Sequence, residues 1–220
     1  MRAERIAEWE DGYGWLAVPD ELMQRSSHVI EGKSGSWLID PLDGQGVENL
    51  LPDASKITGI VLTLDRHQRD CAYFARKFDV PVALARPLRG VEDELACATE
   101  STDRFCADTG WSVLPLLDGP GWHEIALVSE DEATVWISEV VGTAPYFCAP
   151  GELLGVHPII RLRPPRKRLA PLAPERIVVG HGRGILTDGT RLLQEAMHNA
   201  RRRAPQAYVN FLKIGLRRLL

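Results

Sequence analysis

The segment from Ile60 to Phe78, IVLTLDRHQRDCAYFARKF, gathers more chemically capable side chains than any other stretch of the chain. An apolar run, Ile60-Val61-Leu62, gives way to a polar loop that feeds straight into a helix. The loop and its far end carry carboxylates (Asp65, Asp70), an imidazole (His67), a guanidinium (Arg66), an amide (Gln68) and a thiol (Cys71). Metal and hydrolytic sites are assembled from such groups. Three further polar points stand next to apolar runs: Gly119-Pro-Gly-Trp-His123 before Glu124–Ser129, Ser138-Glu139 after Val135-Trp-Ile137, and Gly180-His181-Gly182 after Ile177-Val-Val179. In sheets flanked by helices, sites collect at the carboxyl ends of strands. Other chemistries lack their signatures: there is no GxSxG, no P-loop and no dinucleotide glycine pattern followed by a suitable acid.

The elements that must position these groups follow from periodicity and turn chemistry. Arg5 to Val18 is a hairpin around Asp11-Gly12, a dipeptide suited to tight turns. His28–Glu31 and Ser36–Asp40 form a second hairpin, and Pro41 stops its last strand. A short helix is expected over Gly44–Leu51. Buried strands are expected over Ile57–Thr63 and Val80–Ala85. Between these two strands Arg69–Phe78 is helical, with Cys71, Phe74, Ala75 and Phe78 on one face. The pattern then predicts a helix over Glu92–Phe105 and strands over Ser112–Leu117, Glu124–Ser129 and Thr134–Glu139, the last two joined by a polar turn at Glu130-Asp131-Glu132. Proline-rich Arg161–Pro174 reads as an extended connection. A strand over Arg176–Val179 precedes a helix capped by Thr187 or Asp188. Pro205 is expected to break that helix near Arg203. A final amphipathic helix with the stripe Tyr208, Phe211, Leu212, Leu216, Leu219 runs to Leu220.

A chain of 220 residues, 45% hydrophobic, buries a full core without disulfides or metal. The four cysteines form no CxxC pair and read as free thiols. The charged N-terminus has no apolar run for a signal peptide, and no stretch is long enough to span a membrane. The expected location is the cytoplasm, with no membrane partner. A net charge of -4 gives no global signature for nucleic acid. Basic residues nevertheless cluster in Arg161–Arg168 and between Arg201 and Arg218. Such clusters form a solvated face, an anion-binding patch or a subunit contact.

The order of these points resembles the metallo-β-lactamase superfamily over nearly the whole chain. Leu38-Ile39-Asp40-Pro41 matches the family's early Asp-Pro turn. Thr63 and the following loop stand where the family has Thr and a His-x-His-x-Asp-His loop entering a helix. Gly119 to His123 stands at the Pro-Gly-His turn, Ser138-Glu139 at Gly-Asp, and Gly180-His181-Gly182 at the late Gly-His-Gly. The resemblance implies an α+β fold, a four-layer αββα sandwich formed by residues 1–220 as one domain, with 187–220 a C-terminal helical segment.

The resemblance also implies that the metal motif is degraded. With Asp70 matched to the family's aspartate, Arg66 and Gln68 replace the first two histidines and Cys71 the third. Trp122 takes the histidine position of the Pro-Gly turn, with His123 adjacent, and Glu139 replaces the Gly-Asp aspartate. An arginine at Arg66 would repel the first metal. For a second metal, Asp70, Cys71, Glu139 and His181 remain, all plausible ligands of one zinc-like divalent ion. Asp40 would hold the loop from behind. His67 falls between ligand positions and reads as a loop hydrogen-bonder that a small shift would bring inward; His123 reads similarly. The plainer alternative has no cofactor: Asp70 caps the helix, Cys71 fills the core, Glu139 pairs with Arg66 and backbone groups hold His181. Three functions follow. One is a non-catalytic or altered member, a pseudoenzyme whose cleft binds a small molecule or partner. Another is a one-metal hydrolase of an ester, thioester or phosphoester, with Asp70 orienting a metal-activated water. The third is an interaction subunit acting through the basic C-terminal helices, with a homo-oligomer as one form of that contact.

Overall fold

A computed structural model describes residues 2–131 and 133–217; the side chains of residues 89 and 213–217 lie outside the description. The strands, in chain order, are β1 (Glu4–Trp9), β2 (Gly12–Leu16), β3 (Ser26–Glu31), β4 (Ser36–Ile39), β5 (Ile57–Leu62), β6 (Val82–Leu84), β7 (Thr99–Ser101), β8 (Ser112–Gly119), β9 (Trp122–Val128), β10 (Thr134–Ile137), β11 (Val141–Gly142), β12 (Gly155–Val156) and β13 (Arg176–Val179). The helices are α1 (Cys71–Phe78), α2 (Glu92–Leu95), α3 (Asp103–Thr109), α4 (Arg166–Leu169) and α5 (Gly189–Arg217).

Strands β1 to β7 form one sheet in sequence order, and β13-β10-β9-β8 form a second. One apolar cluster joins the sheets, combining Trp15, Val29 and Ile60 of the first with Ile125, Leu127, Trp136 and Val178 of the second. Cys71, Phe74 and Ala75 of α1 and Phe105 of α3 belong to the same cluster. A second cluster packs Ala126, Val135, Ile137 and Ile177 against Leu193, Ala196, Met197 and Ala200 of α5. These layers realise the expected α+β sandwich. Within it, β4 runs parallel to β5 and β10 parallel to β13. The carboxyl ends of both pairs carry the polar points singled out above.

Several elements differ from the sequence expectation, each for a local reason. The helix expected over Glu92–Phe105 splits into α2, β7 and α3. Ala96 adopts a left-handed backbone (φ 49°) that ends α2, and Thr99–Ser101 then adds to the edge of β6. The expected helix at Gly44–Leu51 shrinks to one 3-10 turn, Val47–Asn49. Arg161–Pro174 is not simply extended, because α4 forms within it. Pro120-Gly121 is the turn of the β8–β9 hairpin, with Gly119 opposite Trp122, so Trp122 and His123 lie on β9. Pro205 does not break α5, which runs unbroken through it. Pro205 is exposed, so the carbonyl that its missing N–H leaves free has access to water. Replacing it with alanine should raise stability by about 1–3 kcal/mol, seen as a higher Tm in thermal unfolding. Of the expected apolar stripe, Leu216 and Leu219 lie outside the described side chains.

A buried ion pair fastens the segment between β11 and β12. Arg161, with no solvent exposure, donates to both carboxylate oxygens of Glu152 (3.2 and 2.5 Å) and to the Phe147 carbonyl.

Candidate functional site

The chain leaves β4 at Asp40 and Arg69 precedes α1, both with left-handed backbone (φ 43° and 44°). These are uncommon conformations for residues with side chains and mark places held by their surroundings. Asp40 accepts the Thr63 N–H at 2.8 Å and the Thr63 hydroxyl. Ser138 Oγ lies 2.5 Å from Thr63 Oγ1, and Trp136 Nε1 donates to the same oxygen, tying the two sheets together. Asp40 Oδ2 also meets His67 Nδ1 at 3.0 Å. His67 Nε2 in turn lies 3.1 Å from His181 Nε2, whose Nδ1 lies 3.1 Å from the Met23 carbonyl. The result is a buried chain, Thr63–Asp40–His67–His181–Met23.

His181 is set by its turn. It bridges to Arg25, and the Gly182 N–H donates to Gln24 O. A Cβ on Gly180 would come within 2.4 Å of the Ser138 carbonyl and 3.1 Å of His67 Cε1. Only glycine lets the chain pass so close to the Ser138 carbonyl, and so past the imidazole.

Two arginines enter the same region. Arg69 Nη1 donates to the carbonyls of Ser26 (2.6 Å) and Asp40 (2.9 Å), and Nη2 to that of Gly180 (3.0 Å). Nη2 stands 3.4 Å from His67 Nε2. Arg66 lies over the Trp122 ring, 4.1 Å from its centroid, and donates to Gly121 O (2.7 Å) and Glu139 Oε2 (2.8 Å). His157 accepts the Ile159 N–H at Nδ1, which leaves its Nε2 hydrogen facing Glu139 Oε1 at 3.6 Å. Beneath them Glu124, fully buried, accepts from the backbones of Glu139 and Val140 and from Trp122 Nε1.

Burial governs protonation here. It pushes Asp40 up to about 6, against the pull of Arg69 and Thr63, and Glu124 up to about 7, against its three N–H donors. It pushes His67 and His181 well below the usual imidazole value, with Arg69 adding to the effect on both. His157 falls to about 4 and the Cys71 thiol rises, both mainly through burial.

The structure therefore brings Asp40, Arg66, His67, Glu139 and His181 together, with Trp122 alongside. His67, Glu139 and His181 offer donor atoms that all lie within 4.8 Å of one another, a set able to hold a divalent metal. Asp70 and Cys71 point elsewhere. Asp70 Oδ2 accepts the Asp43 N–H at 2.8 Å and makes no side-chain cap on α1. Cys71 is buried in the apolar core, its thiol 3.9 Å from the His67 carbonyl. Gln68 reaches out to Glu94, and His123 pairs with Asp118 at 2.7 Å near the surface. Arg69, Glu124 and His157 belong to the site although no motif marks them. For Arg69 the one available signal was a second arginine three residues after Arg66 in a loop that must be buried.

A cavity of about 520 Å³ opens beside Arg66, lined by Asp65, Arg66, Leu88, Val91, Glu94 and His123 among others.

Comparison with known proteins gives the fold and nothing finer. No protein-family model matches the chain, and no curated protein does. Among solved structures, a metallo-β-lactamase from Hirschia baltica is similar over 91% of this chain and 98% of its own, with 11% identity and a TM-score of 0.60. A metallo-β-lactamase from Erythrobacter litoralis is similar over 91% of this chain and 97% of its own, with 9% identity and a TM-score of 0.62. A flavo di-iron protein variant from Thermotoga maritima is similar over 90% of this chain, with 14% identity and a TM-score of 0.64; the chain spans 61% of that protein's length. The chain has the fold of these metallo-β-lactamases.

Proposed function

We propose that this chain is a metal-independent binding protein built on a hydrolase fold, its former metal centre converted into a buried network of ion pairs and hydrogen bonds. The observation that carries this reading is Arg69. Three backbone carbonyls hold its guanidinium in place, 3.4 Å from the nitrogen a metal would need. A fixed cation there opposes a divalent ion through Coulomb repulsion in a medium that screens poorly. Arg66 already neutralises the Glu139 carboxylate. Glu139 and Arg66 cancel, Arg69 adds a fixed positive charge, and two further positive charges would be buried uncompensated.

The histidine pair also closes without a metal. The Met23 carbonyl can only accept, so His181 carries its hydrogen on Nδ1 and a lone pair on Nε2. One hydrogen on His67 Nε2 then completes the 3.1 Å contact. His67 Nδ1 is left to accept from Asp40, and burial favours that protonated carboxyl. The binding site is the cavity beside Arg66, whose mixed acidic, basic and apolar lining suits a small polar molecule.

The spacing of His67, Glu139 and His181 favours a second reading, a one-metal hydrolase. In that reading these three residues hold the ion, which when bound would supply Lewis acidity toward an ester, thioester or phosphoester. One measurement separates the two. Elemental analysis of protein purified without chelator should find zinc, iron and manganese each far below one per chain, and added zinc should leave the Tm unchanged. A near-stoichiometric metal, with a Tm that rises on loading, would establish the second reading instead.

A further inference from the structure

We propose that the surface formed by the turn before α4, α4 itself and the C-terminal part of α5 docks on anionic lipid membranes. Large apolar side chains stand out from it: Ile159 is 74% exposed, Leu162 55%, Val209 50% and Leu212 59%. They share one face. Tyr208 Oη donates to the Pro158 carbonyl at 2.9 Å, Arg201 Nε to the Leu162 carbonyl at 2.7 Å, and Arg166 to the His198 carbonyl at 3.3 Å. These bonds fix the turn and α4 alongside α5. Val209 and Leu212 lie three residues apart, on one side of the helix.

Cations ring the patch. Arg163, Arg166, Lys167, Arg168, Arg201 and Arg202 are exposed, and among the described residues Arg163, Lys167 and Arg168 make no ion pair. Neither 153–174 nor 196–220 contains an Asp or Glu, although the chain as a whole is net negative. Protruding aliphatics within a basic ring match an interfacial surface, where apolar groups enter the headgroup boundary and Lys and Arg meet anionic lipid.

Charge separates this occupant from two others. A two-fold contact between copies would set the same cations against each other. A head-to-tail contact would leave the aliphatics without an apolar counterpart, because, apart from Tyr208 within the patch, the other exposed large apolar residues among those described, Val18, Tyr73, Leu153 and Leu186, are scattered in sequence. Nucleic-acid interfaces are polar and basic, and give Ile159 and Leu212 nothing to enter.

The test is co-sedimentation of the full chain with vesicles of phosphatidylcholine alone or mixed with phosphatidylglycerol, at low and high salt. Binding should require the anionic lipid and fall steeply with salt. The triple variant Arg163→Glu, Lys167→Glu, Arg168→Glu should weaken it by about a hundredfold or more. Ile159→Ser with Leu212→Ser should weaken it by about tenfold or more, while the salt dependence persists. All five positions are exposed, and an unchanged Tm would confirm that each variant is folded. No sedimentation with anionic vesicles, or binding indifferent to salt, would overturn the proposal. So would duplex DNA binding that is tighter than vesicle binding and unaffected by the serine changes, or a solution dimer that Leu212→Ser splits in place of vesicle binding.

Discussion

Arg69→Met is expected to destabilise the fold by about 4 kcal/mol, a fall in Tm of about 10 °C. Methionine keeps the unbranched stem of the side chain and removes the charged guanidinium end with its donors. The carbonyls of Ser26, Asp40 and Gly180 then lose a charged donor together, each such bond being worth about 1.5–3 kcal/mol, while Asp40 O keeps the Ser27 hydroxyl and Gly180 O the Ser26 N–H. The three carbonyls lie on β3, after β4 and after β13, so the loss falls where the two sheets meet. A second part of the result follows from charge. With the guanidinium gone from beside His67 Nε2, zinc should restore part of the lost stability in the variant and none in the parent chain. Denaturant unfolding with and without zinc measures both. A loss below about 1 kcal/mol would mean that water replaces the guanidinium, and Arg69 would no longer account for a metal-free centre.

Acid should unfold the protein from about pH 6.5 downward. His28, His67, His157 and His181 are all held neutral by burial, His28 down to about 3 and His157 to about 4. A folded pKa below the unfolded one means that the unfolded chain takes up protons that the folded chain refuses. Stability is therefore lost as the pH falls below the unfolded value. Asp40 and Glu124 act in the opposite sense. Their raised values, about 6 and about 7, favour the folded state at low pH, and that contribution fades as the pH rises through them. Four imidazoles outweigh two carboxyls, leaving a net uptake on unfolding of roughly two protons near pH 5, or about 3 kcal/mol per pH unit. Thermal unfolding at pH 7 and pH 5 should differ by about 10 °C or more. His28 supplies the control. Neither of its ring nitrogens has a partner among the described residues, and it packs against Trp136 at 4.6 Å. His28→Leu should leave neutral-pH stability unchanged or higher and make the acid slope shallower. An unchanged slope would show that His28 is not among the groups that drive acid unfolding.

Much of the architecture was legible because strand, turn and glycine signals agree locally. Asp11-Gly12 marks the first hairpin, Pro41 the end of β4, and the apolar runs before Thr63, Ser138 and Gly180 mark the strand ends where the centre lies. The ion pair of Arg66 with Glu139 was also readable as one of the two alternatives for Glu139. The loop after β5 was harder, because side-chain direction depends on backbone conformation as well as on position. The left-handed residue at Arg69 turns the chain so that His67 and Arg69 face inward, while Arg66 and Gln68 reach the rim, toward Glu139 and Glu94. Counting from Asp70 puts the opposite set inside. His157 had no signal at all, since its place depends on a segment that reaches the cleft only after β11 and β12 pair.

The strand order of the first sheet bears on how the protein is made. Every neighbour in β1 to β7 is also the next strand in the chain. Such a sheet can grow as residues leave the ribosome, each strand finding its partner with little loop entropy to overcome. The second sheet cannot finish this way, because β13 must return to lie beside β10. His181 comes directly after β13, so in chain order the polar centre closes late, with only the α5 side of the second cluster still to come. A nascent chain halted before Arg176 would hold Asp40 and His67 without His181, its half-built interior still open to water and to chaperones.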